Sequence, residues 1–425
     1  MIKTIGSVCS GIEGATIALK EFGLDTLWTS EISSFQTKLL DVRHSSIKNV
    51  GDMTRIDTMI NNNEIPYVDM ICGGTPCQAF SFAGWKNGLT DERGNLTLKF
   101  VDIVEANDRE RAKNGLKPGI VLWENVEGVL SDKTNAFGCL ISALAGVDDV
   151  INIEKYSKSG FVKGEKRNVA WRVLDAKYFG TPQQRKRVFL LAGGKDFFPE
   201  NVLFEKYEKE LECYPNTQLT FEKDGHIFEV FREYTDCLFS AYGTKWNGNA
   251  SAYNGSLFVL QDGRLRRFSP LECERLMGFP DGYTSIDGCR KTLQYQALGN
   301  SWAIPVVKWI GHRLLVTNHE SSIVKSTEQI LLVNGVVELD GEKFNCSSIP
   351  NNCKFTDMSN IVEVNEDEGL YLSPVGCAGI LRRKVERGLN MNARLEEVMK
   401  QRASEMSRED IEKKSRVQKR GRFAQ

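Results

Sequence analysis

A cysteine acts as a nucleophile only where its sulfur meets a ligand, and Gly73-Gly-Thr-Pro-Cys-Gln78 reads as such a place. Two glycines leave an approach free of side chains, and Pro76 holds Thr75 extended. The apolar run Val68 to Cys72 reads as a strand, so Cys77 falls just beyond its carboxyl end. The alternative for any single cysteine is a small buried hydrophobe; GGTP before it and the polar Gln78 after it fit that poorly. A free thiol titrates near about 8.5, so nearby cations or backbone amides would have to raise its thiolate fraction.

Glu124-Asn125-Val126 follows the apolar run IVLW, which brings a carboxyl group to the next strand end, where it can face Cys77 across a cleft. Kept protonated there, Glu124 can donate to a ring nitrogen; as a surface acid it would only cap a helix. In Gln183-Gln-Arg185-Lys-Arg187, strand alternation sets Arg185 and Arg187 on one face, suited to a phosphate or a carbonyl oxygen. Solvated edge charge is the other reading. Cys9-Ser-Gly-Ile-Glu-Gly14 has two glycines where backbone meets a ligand or a helix packs closely, and Glu31 follows the second strand, placed to accept ribose hydroxyls. Asp52 suits an adenine amine, or is a plain turn residue.

The elements that must position these groups are the runs Ile2 to Val8, Thr26 to Ser30, Val68 to Cys72, Ile120 to Trp123 and Val188 to Ala192, alternating with helical patterns. That alternation predicts an α/β fold with a mostly parallel sheet and helices on both faces. Ligands in such sheets sit beyond the carboxyl ends of the strands, where Cys77, Glu124, Glu31 and the Cys9 to Gly14 turn fall, while Arg185 and Arg187 lead into the run Val188 to Ala192. From about Gly194 to Leu265 the chain turns to short Asn-, Gly-, Tyr- and Phe-rich segments, read as a small loop-rich domain. Helical signals resume at Ser269-Pro270 and again after Asn300.

The 425 residues carry 55 Lys and Arg against 56 Asp and Glu, a net charge of −1, which excludes a binder held to DNA by bulk charge. Charge is local instead: residues 381–425 hold 14 basic against 7 acidic residues, and Ser373-Pro374 opens a helix with a basic face there. Phosphate binding or a solvated helix both fit it. Eleven cysteines without a C-x-x-C, and four histidines without H-E-x-x-H, predict neither a disulfide scaffold nor a metal site. No apolar run nears the roughly 18 residues of a membrane span and no secretory leader is evident, so a cytoplasmic location is expected.

GGTPCQ, ENV, QQRKR, RRFSPLECERLMGFP and YQALGNS stand in the order typical of DNA cytosine-5 methyltransferases, which residues 1 to about 316 thus resemble. The short variable region and the tail resemble phage-borne or prophage-borne types. The resemblance implies a Rossmann-like S-adenosylmethionine-dependent fold. Its parts would be a catalytic and cofactor-binding domain (1–193), a target-recognition domain (194–265), a return segment completing the catalytic domain (266–318) and a C-terminal extension, partly helical and basic (319–425). It further implies that Cys77 adds to C6 of a flipped-out cytosine in double-stranded DNA while Glu124 contacts N3 and the amine. Arg187 would reach the base carbonyl, Arg185 its neighbourhood, and Asn125 would brace the loop before Cys77.

S-adenosylmethionine would be surrounded by Cys9, Ser10, Gly11, Ile12, Gly14, Glu31, Ile32, Asp52, Met53, Pro76, Leu96, Asn300 and Ser301, and DNA would meet Gln78, Ser81 and Gln183. Phe80 to Gly94 matches the catalytic loop and is the candidate wedge into the vacated base stack. Three positions depart from the pattern: Cys9 replaces an aromatic, Glu13 a glycine, and Ile32 an aromatic. A monomer is expected. The resemblance admits a modification enzyme of a restriction system, a phage anti-restriction methylase, a tRNA cytosine-5 methyltransferase or a silent DNA-binding homologue, although the last would be expected to have lost Cys77 or Glu124. A zinc deaminase needs P-C-x-x-C, and Gln-Ala-Phe follows Cys77.

Overall fold

The apolar runs of the first half form β1 (Thr4–Val8), β2 (Asp25–Ser30), β3 (Lys48–Asn49), β4 (Met70–Gly73) and β5 (Ile120–Val126), parallel and ordered β3-β2-β1-β4-β5. Buried on both faces, they need continuous apolar sequence rather than alternation. The order reverses between β1 and β4, which opens a crevice at their carboxyl ends. The structure is a computed structural model that describes residues 2–76, 95–153, 157–243, 253–317, 321–324 and 330–415. Cys77, Gln78, Ser81 and the stretch Phe80 to Gly94 lie outside the described residues.

β6 (Ser159–Lys163), β7 (Asn168–Asp175) and β8 (Lys186–Gly193) extend the sheet as antiparallel strands, with β8 against β5. Alternation along β8 divides the core. Phe189 and Leu191 join helices Gly14–Leu19 and Ile304–Val316 on one face; Val188, Leu190 and Ala192 join Ile56–Asn61, Asn95–Lys113 and Ala136–Ala145 on the other. The return helix Pro270–Met277 begins as its sequence predicts, with a reciprocal capping box between Ser269 and Glu272.

β9 (Glu205–Lys206) precedes a four-stranded antiparallel sheet of β10 (Leu219–Lys223), β11 (His226–Val230), β12 (Phe258–Gln261) and β13 (Arg264–Arg267). The region expected to be loop-rich therefore rests on a sheet. Asp224-Gly225 and Asp262-Gly263 turn its hairpins with φ of 51 and 78, and 50 and 76, the paired positive values that Asp-Gly accommodates in two-residue turns.

The C-terminal extension is built into both sheets. Its β14 (Ile330–Val333) pairs with β6 at the edge of the central sheet, and β15 (Val336–Leu339) and β16 (Glu342–Asn345) form a small sheet with β9. Its helices Pro374–Glu386 and Ala393–Ser404 place Cys377, Ile380, Leu395, Val398 and Met399 on Phe258, Leu260 and Leu265 of the four-stranded sheet. Two buried guanidiniums close the joint. Arg172 of β7 donates to the carbonyls of Ser347 and Ile349 at 2.6 and 2.9 Å and pairs with Glu205 at 3.0 Å. Arg266 grips Glu272 with two bonds of 2.9 and 2.8 Å, and also donates to the Glu363 carbonyl. The basic face of the extension is largely paired: Arg382, Lys384, Arg394, Lys400 and Arg402 each meet a carboxylate. Isolated exposed pairs of this kind contribute little stability.

Candidate functional site

A cavity of about 580 Å³ lies in the crevice, lined by Cys9, Gly11, Glu31, Ile32, Asp52, Met53, Pro76, Leu96, Glu124, Asn125, Arg185, Arg187 and Asn300 among others. Residues from the carboxyl ends of β1 to β5, from the amino end of β8 and from the return segment meet there, because parallel topology aligns the first five and antiparallel pairing with β5 brings the start of β8 to the same edge.

At one end, Glu31 is held as an acceptor. Gly11 N–H donates to its Oε2 at 2.9 Å, and the amides of Ile32 and Ser33 donate to Oε1 at 2.9 and 2.7 Å. Asp52 accepts from Thr54 N through Oδ1, and among the described residues Oδ2 has no hydrogen-bond donor. Such fixed carboxylates suit hydroxyl and amine donors. Ile32, 75% exposed, offers an apolar side chain at the mouth. Cys9 lies 3.4 Å from Met53 Sδ, and burial, then Glu31 and Asp52, push its thiol up to about 12, so it forms a neutral wall rather than a nucleophile.

Glu13, where a glycine is usual, turns inward with φ of 61 and is 1% exposed. It accepts from Ser7 Oγ at 3.0 Å and Thr16 Oγ1 at 2.8 Å. Burial, only partly offset by these bonds, raises its pKa to about 7 from 4.5. The folded state thus binds this proton more tightly, and the associated stability, full below about pH 4.5, is lost as pH rises through 7. With each pKa unit equivalent to about 1.4 kcal/mol, Glu13→Gln should shrink the drop in unfolding free energy between pH 5 and pH 8 by roughly 2 kcal/mol. Urea unfolding at the two pH values measures it; an unchanged drop would contradict the assignment.

At the other end stands Glu124. Its Oε1 lies 3.1 Å from Arg187 Nε, yet has no aligned hydrogen-bond donor among the described residues. Burial raises the Glu124 pKa, outweighing Arg187, Arg185 and the Trp302 indole N–H, which pull it down. Gly74 packs closely beside it: a Cβ there would sit 3.1 Å from the Glu124 carbonyl and 3.2 Å from Trp302 Nε1, a tight fit. Asn125 donates to the Thr75 carbonyl at 2.9 Å and so grips the chain two residues before Cys77.

Three expectations need correction. Gln183, read as a DNA contact, is fully buried; it donates to Leu276 O and accepts from Leu238 N, because residues distant in sequence close over it. Arg185 lines the cavity but spends its nitrogens on the carbonyls of Leu238, Gly299 and Ser301, tying the return segment to the strand. Ile12 is buried in the core rather than lining the cavity, its carbonyl accepting from Tyr283. Ser10 braces β1 to β2 through Ser30, and Gly14 packs against Ser301, whose Oγ would lie 3.3 Å from a Cβ at 14. The sequence reading missed Ser30, Ser33, Gln36, Gly51 and Thr75 in the cavity wall, and Trp302 beside Glu124. All but Gln36 adjoin a residue it did select, and that adjacency was the available signal.

Among the described residues no His, Cys, Asp and Glu group could hold a metal, and no helix is long and apolar enough to cross a membrane. A family model described as C-5 cytosine-specific DNA methylase matches residues 3–251 and 241–315. The DNA N-6-adenine-methyltransferase of Escherichia phage P1 is 31% identical over 460 aligned residues, covering 73% of this chain and 60% of its own. This chain thus spans about three fifths of that relative's length. Type II methyltransferase M.HhaI of Haemophilus parahaemolyticus is 27% identical over 334 residues, covering 72% of this chain and 92% of its own. Type II methyltransferase M.DsaV of Dactylococcopsis salina is 26% identical over 350, with 75% and 86% covered.

Proposed function

Because the chain belongs to the C-5 cytosine-specific DNA methylase family, we propose that it transfers a methyl group from S-adenosyl-L-methionine to C5 of a cytosine flipped out of duplex DNA. The observation that carries this reading is the buried Glu124 carboxyl, with one oxygen lacking an aligned donor, in the same cavity as the fixed acceptors Glu31 and Asp52. A carboxyl whose ionisation burial disfavours can donate to a ring nitrogen and accept from an exocyclic amine. The cofactor end fits equally: Glu31 suits a ribose diol, Asp52 an amine, and the apolar Ile32, Cys9 and Met53 a planar base. S-adenosylmethionine bound there would supply an electrophilic methyl group.

The chain's own groups do the rest. The Cys77 thiolate adds to C6, and the electron pair moves through the ring toward N3, where Glu124 donates a hydrogen bond or its proton. C5 then takes the methyl group. Loss of the C5 proton and departure of the sulfur from C6 restore the aromatic base and the free cysteine. Arg187 orients Glu124 and meets the base carbonyl; Arg185 holds the return segment in place. The sheet β10 to β13 and its hairpins form the recognition lobe, with Gln78 and Ser81 as further DNA contacts. In the cell the enzyme serves a restriction-modification system or protects phage DNA from host nucleases.

Incubation with tritiated S-adenosylmethionine and duplex DNA, followed by nucleoside analysis, tests this. The label should appear in 5-methylcytosine, and Cys77→Ala should lower it to background while S-adenosylhomocysteine binding persists. Label in N-6-methyladenine, which the phage P1 relative's name specifies, or in tRNA alone, would overturn the reading, as would near-normal turnover by Cys77→Ala.

A further inference from the structure

Thr75 stands two residues before Cys77 and is held at two atoms from three directions. Its carbonyl accepts from Asn125, as described above. Its buried hydroxyl accepts from the Trp123 indole N–H at 3.1 Å and lies 3.0 Å from the Thr97 hydroxyl. An indole N–H can only donate, so the Thr75 oxygen is the acceptor there, and its remaining capacity, one proton and one lone pair, meets Thr97 with either hydroxyl as donor. Thr97 and Trp123 are themselves buried, at 6% and 1% exposure. Trp123 is fixed in turn by stacking on Phe137, ring centroids 5.8 Å apart and planes 24° apart, with Phe137 edge-on to Trp171.

The Thr75 to Thr97 bond joins positions 22 residues apart in the chain, on either side of Cys77. Neither Thr97 nor Trp123 touches the cavity that the base and cofactor would share, since neither lines it. Their polar atoms nevertheless converge on one hydroxyl of the residue that leads into Pro76-Cys77. Buried polar groups are retained only where they are satisfied, and this trio satisfies itself without solvent. We propose that Thr97 and Trp123 are positioning residues for the methyl-transfer chemistry: acting through Thr75, they set where the Cys77 sulfur stands relative to the target ring. This rests on the reading of Cys77 as the nucleophile. Displacing a reacting atom by about 1 Å can cost on the order of 100-fold in rate, whereas the Glu31 and Asp52 end of the cavity does not depend on the trio.

The test compares Thr97→Val, which keeps shape and loses the hydroxyl, with Thr97→Ser, which keeps the hydroxyl, and with Trp123→Phe, which keeps the ring and loses the donor. For each, kcat, KM for S-adenosylmethionine, S-adenosylhomocysteine affinity and Tm are measured on the full chain with duplex DNA. Thr97→Val and Trp123→Phe should lose at least tenfold in kcat with cofactor KM and S-adenosylhomocysteine affinity within twofold of wild type, and Thr97→Ser should recover kcat to within about threefold. Two results would overturn the proposal: kcat unchanged in Thr97→Val and Trp123→Phe, or a loss that Thr97→Ser does not relieve. A kcat loss that runs in parallel with cofactor binding or with Tm would mark the trio as structural and overturn it as well. A wild-type protein that methylates no cytosine would sink the functional reading itself, a failure distinguishable from an active enzyme indifferent to these substitutions.

Discussion

Replacement of Glu124 by glutamine should lower kcat for methyl transfer by roughly 10²- to 10⁴-fold, the range associated with a positioned proton donor. Glutamine fills the same space beside Gly74 and Trp302 and still offers a hydrogen bond, so the fold and the cofactor end should be little affected. What it lacks is a proton acid enough to follow the electron pair arriving at N3. Burial has raised the pKa of this carboxyl against the pull of Arg187 and Arg185. A raised value means that the competent, protonated form persists to higher pH than for an ordinary glutamate, and that activity falls as pH rises through it. The pH profile of kcat/KM for the wild type should show that falling limb, and Glu124→Gln should lose it. Normal turnover in the variant would remove Glu124 from the proton path.

Deletion of everything after residue 317 should leave a chain that does not fold. Phe258, Leu260 and Leu265 would lose the helices that cover them, together with Phe231 and Tyr253 of the same cluster. Each such side chain contributes roughly 1.5–3 kcal/mol on burial, and five of them approach the whole stability of a typical domain, about 5–15 kcal/mol. Arg172 would also lose its Ser347 and Ile349 carbonyls, and Arg266 its Glu363 carbonyl, leaving buried guanidinium donors unsatisfied. If the tail were only a phosphate-binding arm, one of its two sequence readings, its loss would merely weaken DNA binding and flatten the salt dependence of that binding. Far-ultraviolet circular dichroism and a thermal melt of the shortened chain separate the two. A cooperative transition near that of the full chain, with only DNA affinity reduced, would contradict the structural role.

The catalytic half of the molecule was legible because its signals are local. Buried strands show as unbroken apolar runs, so β1, β2, β4, β5 and β8 fall within a few residues of their expected places; the residues just after the four parallel strands, and those that open antiparallel β8, line the crevice. Ser269-Pro270 announced its helix through a cap that the structure contains. The sheet β10 to β13 was missed although Asp224-Gly225 and Asp262-Gly263 are strong two-residue hairpin signals, because the Asn- and Gly-rich stretch between them dominated the reading. The strands of the extension carry weaker information. β16 pairs with a two-residue strand more than a hundred positions earlier, and no local pattern specifies that partner. Gln183 illustrates the same limit: a glutamine beside Arg185 and Arg187 reads as a surface group until Leu238 and Leu276, far along the chain, are seen to enclose it.

The covalent role of Cys77 is tested most directly with a duplex in which the target cytosines are replaced by 5-fluorocytosine, incubated with the protein and S-adenosylmethionine. Fluorine at C5 cannot leave as a proton does, so the sulfur should remain bonded to C6. Mass spectrometry should then find a protein–DNA adduct carrying one transferred methyl group, mapped to Cys77 and absent from Cys77→Ala. Methyl transfer into ordinary cytosine by the same preparation, with no adduct on the fluorinated duplex, would contradict the account.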